Sequence, residues 1–128
     1  MLAFNDQTNK IVSYLYNNAI VDTGSSKVIG VVLGNCVFGI HRQVVGKFFN
    51  NTLYNERGEV VARIEQMDAN PPYRFSPADC MGQAWELATR VRDHICPWVE
   101  PTDNWSSQSI QELLKAHLPE KQAARIRN

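Results

Sequence analysis

The segment Lys27-Val28-Ile29-Gly30-Val31-Val32 recurs 16 residues later as Gln43-Val44-Val45-Gly46-Lys47-Phe48, and after a further 16 as Glu59-Val60-Val61-Ala62-Arg63-Ile64. A more divergent copy, Lys10-Ile11-Val12-Ser13-Tyr14-Leu15, precedes them by 17 residues. Each copy opens with a long polar residue, continues with two β-branched residues and then places a small residue. Self-similarity at a fixed period indicates one structural unit written several times.

A second, shorter motif precedes each copy of the first. Ile20-Val21-Asp22, Val37-Phe38-Gly39 and Leu53-Tyr54-Asn55 match one another, and Ala3-Phe4-Asn5 is aligned as the weak first member. Turn-prone residues separate the two motifs each time. Two short β-prone runs joined in this way are typical of a β-hairpin, so residues 2–66 predict four hairpins.

The small residue of each second strand suggests that backbones approach closely at a shared centre. These positions are Ser13, Gly30, Gly46 and Ala62. A lone hairpin is marginal in water, whereas four hairpins can bury their apolar stripes together. A linear solenoid would leave edge strands bare at both ends. The favoured arrangement is therefore an antiparallel sheet of hairpins around a pseudo-four-fold axis, and the alternative is a simple meander or small barrel.

This quartet of motifs resembles the bacterial four-fold beta flower proteins, whose sheet region consists of hairpin petals around a pseudo-four-fold axis. The resemblance covers residues 2–66, about half of the chain. It implies a fold and carries over no catalytic residues.

The second half of the chain predicts two or three α-helices. Residues 1–67 form the hairpin region, and residues 68–128 form a linker and a helical region that packs on the sheet. Ser76 as N-cap and Pro77 at the first helical position predict a helix start. Met81, Ala84, Ala88, Val91 and Ile95 give its apolar face, and Pro97 ends it.

A second helix is predicted after Ser106 or Ser107, because Ile110, Leu113, Leu114 and His117 form a stripe at helical spacing. Residues 98–105 between the helices predict a loop. Pro119 ends the second helix or starts a last short turn.

Composition excludes several classes of protein. The 128 residues carry 13 basic and 13 acidic side chains, which argues against a general nucleic-acid binder. No run of 18 apolar residues predicts a membrane span, and the N-terminus lacks a signal-peptide pattern. Three cysteines without a C-x-x-C pair predict reduced thiols, and together these features predict a cytoplasmic protein.

Catalytic and metal chemistry find little support in the sequence. Cys36 with His41, or Cys96 with His94, are the available thiol–base pairs, and neither has the setting that a nucleophile needs. Cys80 lies near a predicted helix start without a nearby histidine. Cys80 and Cys96 are about 24 Å apart along a helix, so they cannot share an ion. We therefore predict no catalytic residues, no metal and no cofactor.

Two sets of residues are candidates for binding. Asn18, Asn35 and Asn51 precede the first strands of three hairpins, where a structural turn is favoured over a ring of amides that lines a pocket. Five aromatic residues of the helical half either fix helices to the sheet or form a partner or ligand surface: Tyr73, Phe75, Trp85, Trp98 and Trp105.

Two functions remain open on this basis. The first is a non-catalytic module that binds a protein partner or a second copy of the chain. The second is a small enzyme or ligand-binding protein with a pocket at the petal axis or at the sheet–helix seam.

Overall fold

A computed structural model describes residues 1–66, 70, 74–91 and 98–116 of the chain. Residues 1–66 form eight β-strands, and two short helices follow, so the fold is α+β with a strand-rich N-terminal part. The strands are β1 (Leu2–Asn5), β2 (Ile11–Tyr16), β3 (Ala19–Asp22), β4 (Val28–Leu33), β5 (Cys36–Gly39), β6 (Val44–Phe49), β7 (Thr52–Asn55) and β8 (Val60–Gln66). The helices are α1 (Pro77–Ala88) and α2 (Ile110–Lys115).

The strands close into one antiparallel barrel. Each strand pairs with the next along the chain, and β8 pairs with β1. The predicted pairs β1–β2, β3–β4, β5–β6 and β7–β8 are neighbours in this order. Closure of the sheet leaves no open edge for another strand to join.

The same β-bulge interrupts all four of these pairs. In each pair the register shifts by one residue, so that one residue of the second strand has no counterpart on the first. The extra residues are Val12, Ile29, Val45 and Val61. All four contribute to a cluster inside the barrel that draws on every strand. The bulge therefore adds one more apolar side chain to the interior.

The small residue follows the bulged one in each second strand. Its Cα partners on the first strands are Phe4, Ile20, Val37 and Leu53, in the order of Ser13, Gly30, Gly46 and Ala62. Consecutive residues such as Val61 and Ala62 both belong to the interior cluster. Two large side chains in succession would overfill that space, and this explains the small residue.

The predicted reason for the small residues was incomplete. We expected four small residues to crowd one another around an axis. Instead, a Cβ on Gly46 would collide with the carbonyl oxygen of Tyr54 on the next strand, and a Cβ on Gly30 would lie 2.8 Å from that of Phe38. The close approach is between neighbouring strands.

The alignment of the first hairpin was wrong by one residue. Because Phe4 lies opposite Ser13, as Ile20 lies opposite Gly30, the matching segment is Phe4-Asn5-Asp6 and not Ala3-Phe4-Asn5. Asn5 thus occupies the place that Val21 takes in the next hairpin. Asn5 is 7% exposed, and its side-chain oxygen has no hydrogen-bond partner among the described residues.

The turns within the four hairpins end alike. A residue with left-handed φ precedes each second strand: Asn9 (66°), Ser26 (59°), Arg42 (63°) and Gly58 (80°). Two-residue turns join the hairpins to one another, and Asn17, Gly34 and Asn50 have positive φ there as well. The barrel thus has an end with longer turns, called here the turn end, and an opposite end with two-residue turns.

Helix α1 begins as predicted, with Ser76 accepting a hydrogen bond from the backbone of Asp79 and Pro77 in the first turn. It ends at Ala88, earlier than predicted, and Ile95 and Pro97 lie outside the described residues. Its buried face carries Cys80 and Ala84. The predicted face was therefore rotated, and Met81 is 42% exposed.

Helix α2 is capped by Ser109 and not by the predicted Ser106 or Ser107. The hydroxyl of Ser109 accepts from the backbone N–H of Glu112, whose carboxylate accepts from the N–H of Ser109. This reciprocal capping box fixes the helix start. Ile110, Leu113 and Leu114 are buried as predicted, and His117 and Pro119 lie outside the described residues.

Two layers cover the outer face of the barrel. Helix α1 packs on a cluster that includes Val21, Val31 and Phe38. On the other side, Val99 and Trp105 pack on Tyr54 and Val60. Residues 98–105, called here the strap, thus cover the outer face of β7 and β8, and α1 covers that of β3, β4 and β5.

We expect Ser13→Ala to raise the free energy of unfolding by about 1 kcal/mol. The Ser13 hydroxyl is fully buried and has no hydrogen-bond partner among the described residues, and an unsatisfied buried group of this kind costs about 1–3 kcal/mol. Ala62 already fills the equivalent position in β8, so the methyl group fits. Urea denaturation followed by circular dichroism measures the change.

Gly46→Ala is the matched comparison, since it places alanine at the equivalent small-residue position of β6. It should lower the free energy of unfolding by about 2 kcal/mol, because the new Cβ meets the Tyr54 carbonyl. Equal effects of the two substitutions would contradict this account of the small residues.

Candidate functional site

Helix α2 lies across the turn end of the barrel. Ile110, Leu113 and Leu114 join the interior cluster and close the core at that end. The backbone N–H of Ile40 donates to the carbonyl of Leu114 over 2.9 Å. A Cβ on Gly39 would collide with the same carbonyl oxygen, so glycine is required where the helix ends on the sheet.

Three of the four longer turns are held by an aspartate or asparagine side chain. Asp6 accepts from the backbone of Thr8 and Lys10, Asp22 from that of Ser25, and Asn55 from that of Arg57 and Glu59. Such side chains replace a backbone acceptor in a turn. Gly39 takes this position in the remaining turn, where the Leu114 carbonyl accepts a hydrogen bond from the N–H of Ile40.

Asp22 also ties α2 to the barrel wall. The amide nitrogen of Gln111 donates to the backbone oxygen of Val12 over 2.8 Å and to the Asp22 carboxylate over 3.3 Å. Burial raises the pKa of Asp22, but hydrogen bonds from Ser25 and Gln111, aided by the charge of Lys115, outweigh this and leave the pKa below its ordinary value.

The barrel closes imperfectly between β8 and β1. The other connections between hairpins keep an unbroken register, whereas the pairing of β1 with β8 shifts between Ala3 and Phe4. The β2–β3 pairing extends to Ser13 and Asp22. At the seam between β8 and β1, the pairing stops at Asn5 and Arg63, one residue short of the equivalent pair.

The strap fills part of the gap that results. The N–H of Val60 donates to the carbonyl of Asn104 over 2.7 Å, and the N–H of Ser106 donates to the carbonyl of Val60 over 2.8 Å. This pairing satisfies backbone groups of β8 that β1 does not reach.

Two grooves flank the loop between the strap and α2. One, called here the seam groove, has a volume of about 210 Å³ and lies between the first turn, Trp105 and the start of α2. The other has a volume of about 600 Å³ and lies between the fourth turn and α2, with Glu56, Arg57 and Glu112 on its walls. Ser107 and Gln108 line both grooves.

The predicted aromatic set divides into exposed and partly buried members. Trp85 and Trp98 are each 72% exposed. Phe75 packs edge-on against Tyr16 with ring centres 5.1 Å apart. Trp105 is half-buried in the strap, and Tyr73 lies outside the described residues.

Two tryptophans of the strap lie beside cations of the barrel. The ammonium of Lys47 is 5.2 Å from the centre of the Trp98 ring, and the guanidinium of Arg63 is 5.2 Å from that of Trp105. Lys47 and Arg63 occupy the same position in β6 and β8, directly after the small residue. Each contact contributes about 0.5–1 kcal/mol where the cation stays solvated.

Asn18, Asn35 and Asn51 lie in exposed two-residue turns. Their backbone carbonyls accept from the N–H groups of Val32, Phe48 and Ile64, in that order, and so extend the strand pairing. The three asparagines are exposed and lie at the end of the barrel opposite the turn end, so they do not line its interior.

The cysteines depart from the expectation of reduced thiols. Cys36 is disulfide-bonded, so the prediction is wrong for this residue, and it removes Cys36 with His41 as a thiol–base pair. Cys80 is a free thiol whose pKa burial raises, so it stays protonated at neutral pH. His94 and Cys96 lie outside the described residues.

Among residues 1–66, 70, 74–91 and 98–116, no three side chains of the metal-binding types come together. None of the helices in this part of the chain has the length and apolar character to span a membrane. Comparisons with family models, with curated proteins and with solved structures found no match.

Sequence reasoning missed the contact between Gln111 and Asp22 and the seam groove. Asp22 stood in a turn-prone segment, which indicated a turn but no partner. Gln111 had no signal beyond its polarity on a predicted helix. The groove depends on the register between the first and last strands, which local patterns do not specify.

We expect Asp22→Asn to destabilise the protein most near pH 7 and progressively less below about pH 4. The folded-state pKa of Asp22 is lowered, so the carboxylate stabilises the fold above its unfolded pKa of about 4, and this contribution is lost as the pH falls. Urea denaturation of wild type and variant at pH 7 and pH 3 measures the difference.

Asp103→Asn controls for removal of a negative charge, because Asp103 is exposed. A difference between wild type and Asp22→Asn that stays constant with pH would show that the carboxylate charge does not hold α2 in place.

Proposed function

We propose that this protein is a non-catalytic interaction or assembly module, which binds a protein partner or a second copy of itself. The observation that carries the proposal is the 72% exposure of both Trp85 and Trp98. A large exposed aromatic side chain is costly in water and is enriched where proteins bind one another.

Trp85 lies on α1, which covers β3, β4 and β5, and Trp98 lies on the strap beside Lys47 of β6. Lys47, beside the Trp98 ring, is opposite Cys36 on the neighbouring strand. Cys36 belongs to the cluster beneath α1, the helix that carries Trp85. Trp85, Met81 and Trp98 are exposed apolar side chains of α1 and of the strap, and they are together called here the tryptophan face.

Rigidity favours this face as a binding surface. Helix α1 is anchored by Cys80 and Ala84 in the outer cluster, and the strap by its backbone bonds to Val60. Tryptophan loses only two side-chain torsions on binding, so a pre-formed aromatic surface binds at low entropic cost.

The four hairpins are, in the same proposal, copies of one unit about a pseudo-four-fold axis, as in the beta flower proteins that the sequence resembles. Support comes from features that recur in every hairpin: the bulge, the small residue after it and the left-handed residue of the turn.

A small-ligand site or enzyme centre on the barrel axis has less support. Side chains from all eight strands fill the interior, and α2 closes the turn end. At the sheet–helix seam, the described residues form two grooves.

The double substitution Trp85→Ala with Trp98→Ala tests the module. Each tryptophan at the centre of an interface contributes about 2 kcal/mol or more, so the substitution should weaken association at least tenfold. Sedimentation velocity over a concentration series measures self-association, and cross-linking in bacterial lysate, read out by mass spectrometry, measures partner binding.

Glu86→Ala, an exposed change on the same helix, should leave association unchanged, and thermal unfolding should show that both variants stay folded. The proposal fails if the protein is monomeric at all concentrations and its cross-links in lysate do not depend on the two tryptophans.

A further inference from the structure

The seam groove lies at the turn end of the barrel, next to the place where the pairing of β1 with β8 stops at Asn5 and Arg63. Its first wall is the turn after β1, where Asp6, Gln7 and Thr8 lie. Its second wall is Trp105 with the loop that leads into α2, and its floor is apolar, with Val12 and Val61. The groove is formed by other residues than the tryptophan face.

The size of the groove limits what it can hold. Its volume of about 210 Å³ equals that of about seven water molecules at ~30 Å³ each. Sites for larger organic ligands occupy about 300–1,000 Å³. A molecule of the size of a monosaccharide fits, whereas a folded partner or a dinucleotide does not.

The polar groups of the groove are hydroxyls, amides and one carboxylate. Ser106 and Ser109 each accept a backbone N–H, from Gln108 and Glu112, and neither hydroxyl donates in a bond between described residues. Both therefore keep a donor for a ligand oxygen.

Asp6 adds an acceptor to these donors. Its Oδ1 atom accepts from Thr8 and Lys10, whereas Oδ2 takes part in no hydrogen bond between described residues. The hydrogen bond from the Thr8 hydroxyl and that from the Lys10 backbone hold the pKa of Asp6 below its ordinary value, so the carboxylate is ionised at neutral pH.

The charges at the groove offset each other. Asp6 is the one charged group among the described lining residues, and the guanidinium of Arg63 lies 5.2 Å from the centre of the Trp105 ring, so an anion would meet the carboxylate and a cation would meet the guanidinium. The half-buried ring of Trp105 offers an apolar surface to the C–H groups of a ligand.

We propose that the seam groove binds a small, neutral, polyhydroxylated molecule, with Trp105 against its carbon skeleton. Its hydroxyls bond to Asp6, Ser106 and Ser109 and to the side-chain amides of Gln7 and Gln108, which also line the groove. This site is independent of the interaction that we propose for the tryptophan face.

The test uses saturation-transfer NMR with five neutral probes: glycerol, erythritol, myo-inositol, glucose and galactose. At least one should bind with a Kd in the millimolar range, as expected for so small a ligand. The double substitution Gln7→Ala with Gln108→Ala should weaken this binding at least fivefold. Neither amide side chain takes part in a bond between described residues, so the fold is kept.

Glu56→Gln, in the other groove, is the matched control and should bind as wild type does. Ethanolamine should give no saturation transfer, and inorganic phosphate should not reduce the saturation transfer to a bound polyol. The proposal is overturned if none of the five polyols binds, if the double variant binds them as tightly as wild type, or if phosphate or ethanolamine competes with the bound polyol.

Discussion

The architecture depends on one steric constraint, namely that every second strand of a hairpin turns two consecutive side chains into the barrel. A bulge makes this possible, and it requires that the second of the two be small. Ile29 with Gly30 and Val61 with Ala62 show the pattern. The bulge supplies extra apolar volume to a narrow interior, and the small residue keeps neighbouring strands in hydrogen-bonding contact.

On the outer face of the barrel, the residue after the small one differs between the four second strands, and it contacts one of two covering elements. Tyr14 and Val31 pack beneath α1, whereas Lys47 and Arg63 lie beside tryptophans of the strap. Apolar residues at this position fit a helix that is packed tightly, and long cations fit an aromatic segment at the border with solvent. Differences between the copies thus decide which covering element lies over which part of the barrel.

Much of the β region could be predicted from the sequence, because the period of 16 residues repeats both the apolar pattern and the turn residues. The first hairpin was misaligned by one residue, since Ala3-Phe4 and Phe4-Asn5 fit the weak pattern almost equally well. In α1, Met81 and Cys80 are neighbours at the edge of the apolar stripe, and only packing on the barrel decides which of them is buried.

The candidate sites were less predictable. The sequence indicated the tryptophans as a group, but their separation into exposed Trp85 and Trp98 and half-buried Trp105 depends on tertiary contacts. The seam groove depends on how the first and last strands meet, which involves residues about 60 positions apart in a chain where local patterns extend over only a few residues.

Gly39 fixes the orientation in which α2 lies on the barrel. Four turns of similar geometry surround its end, and a short apolar helix has no intrinsic reason to end on one rather than another. Asp6, Asp22 and Asn55 carry a side chain at this position of their turns, whereas at Gly39 the carbonyl of Leu114 lies where a Cβ would be. The absence of a side chain at this one turn therefore selects a single orientation of α2 among four.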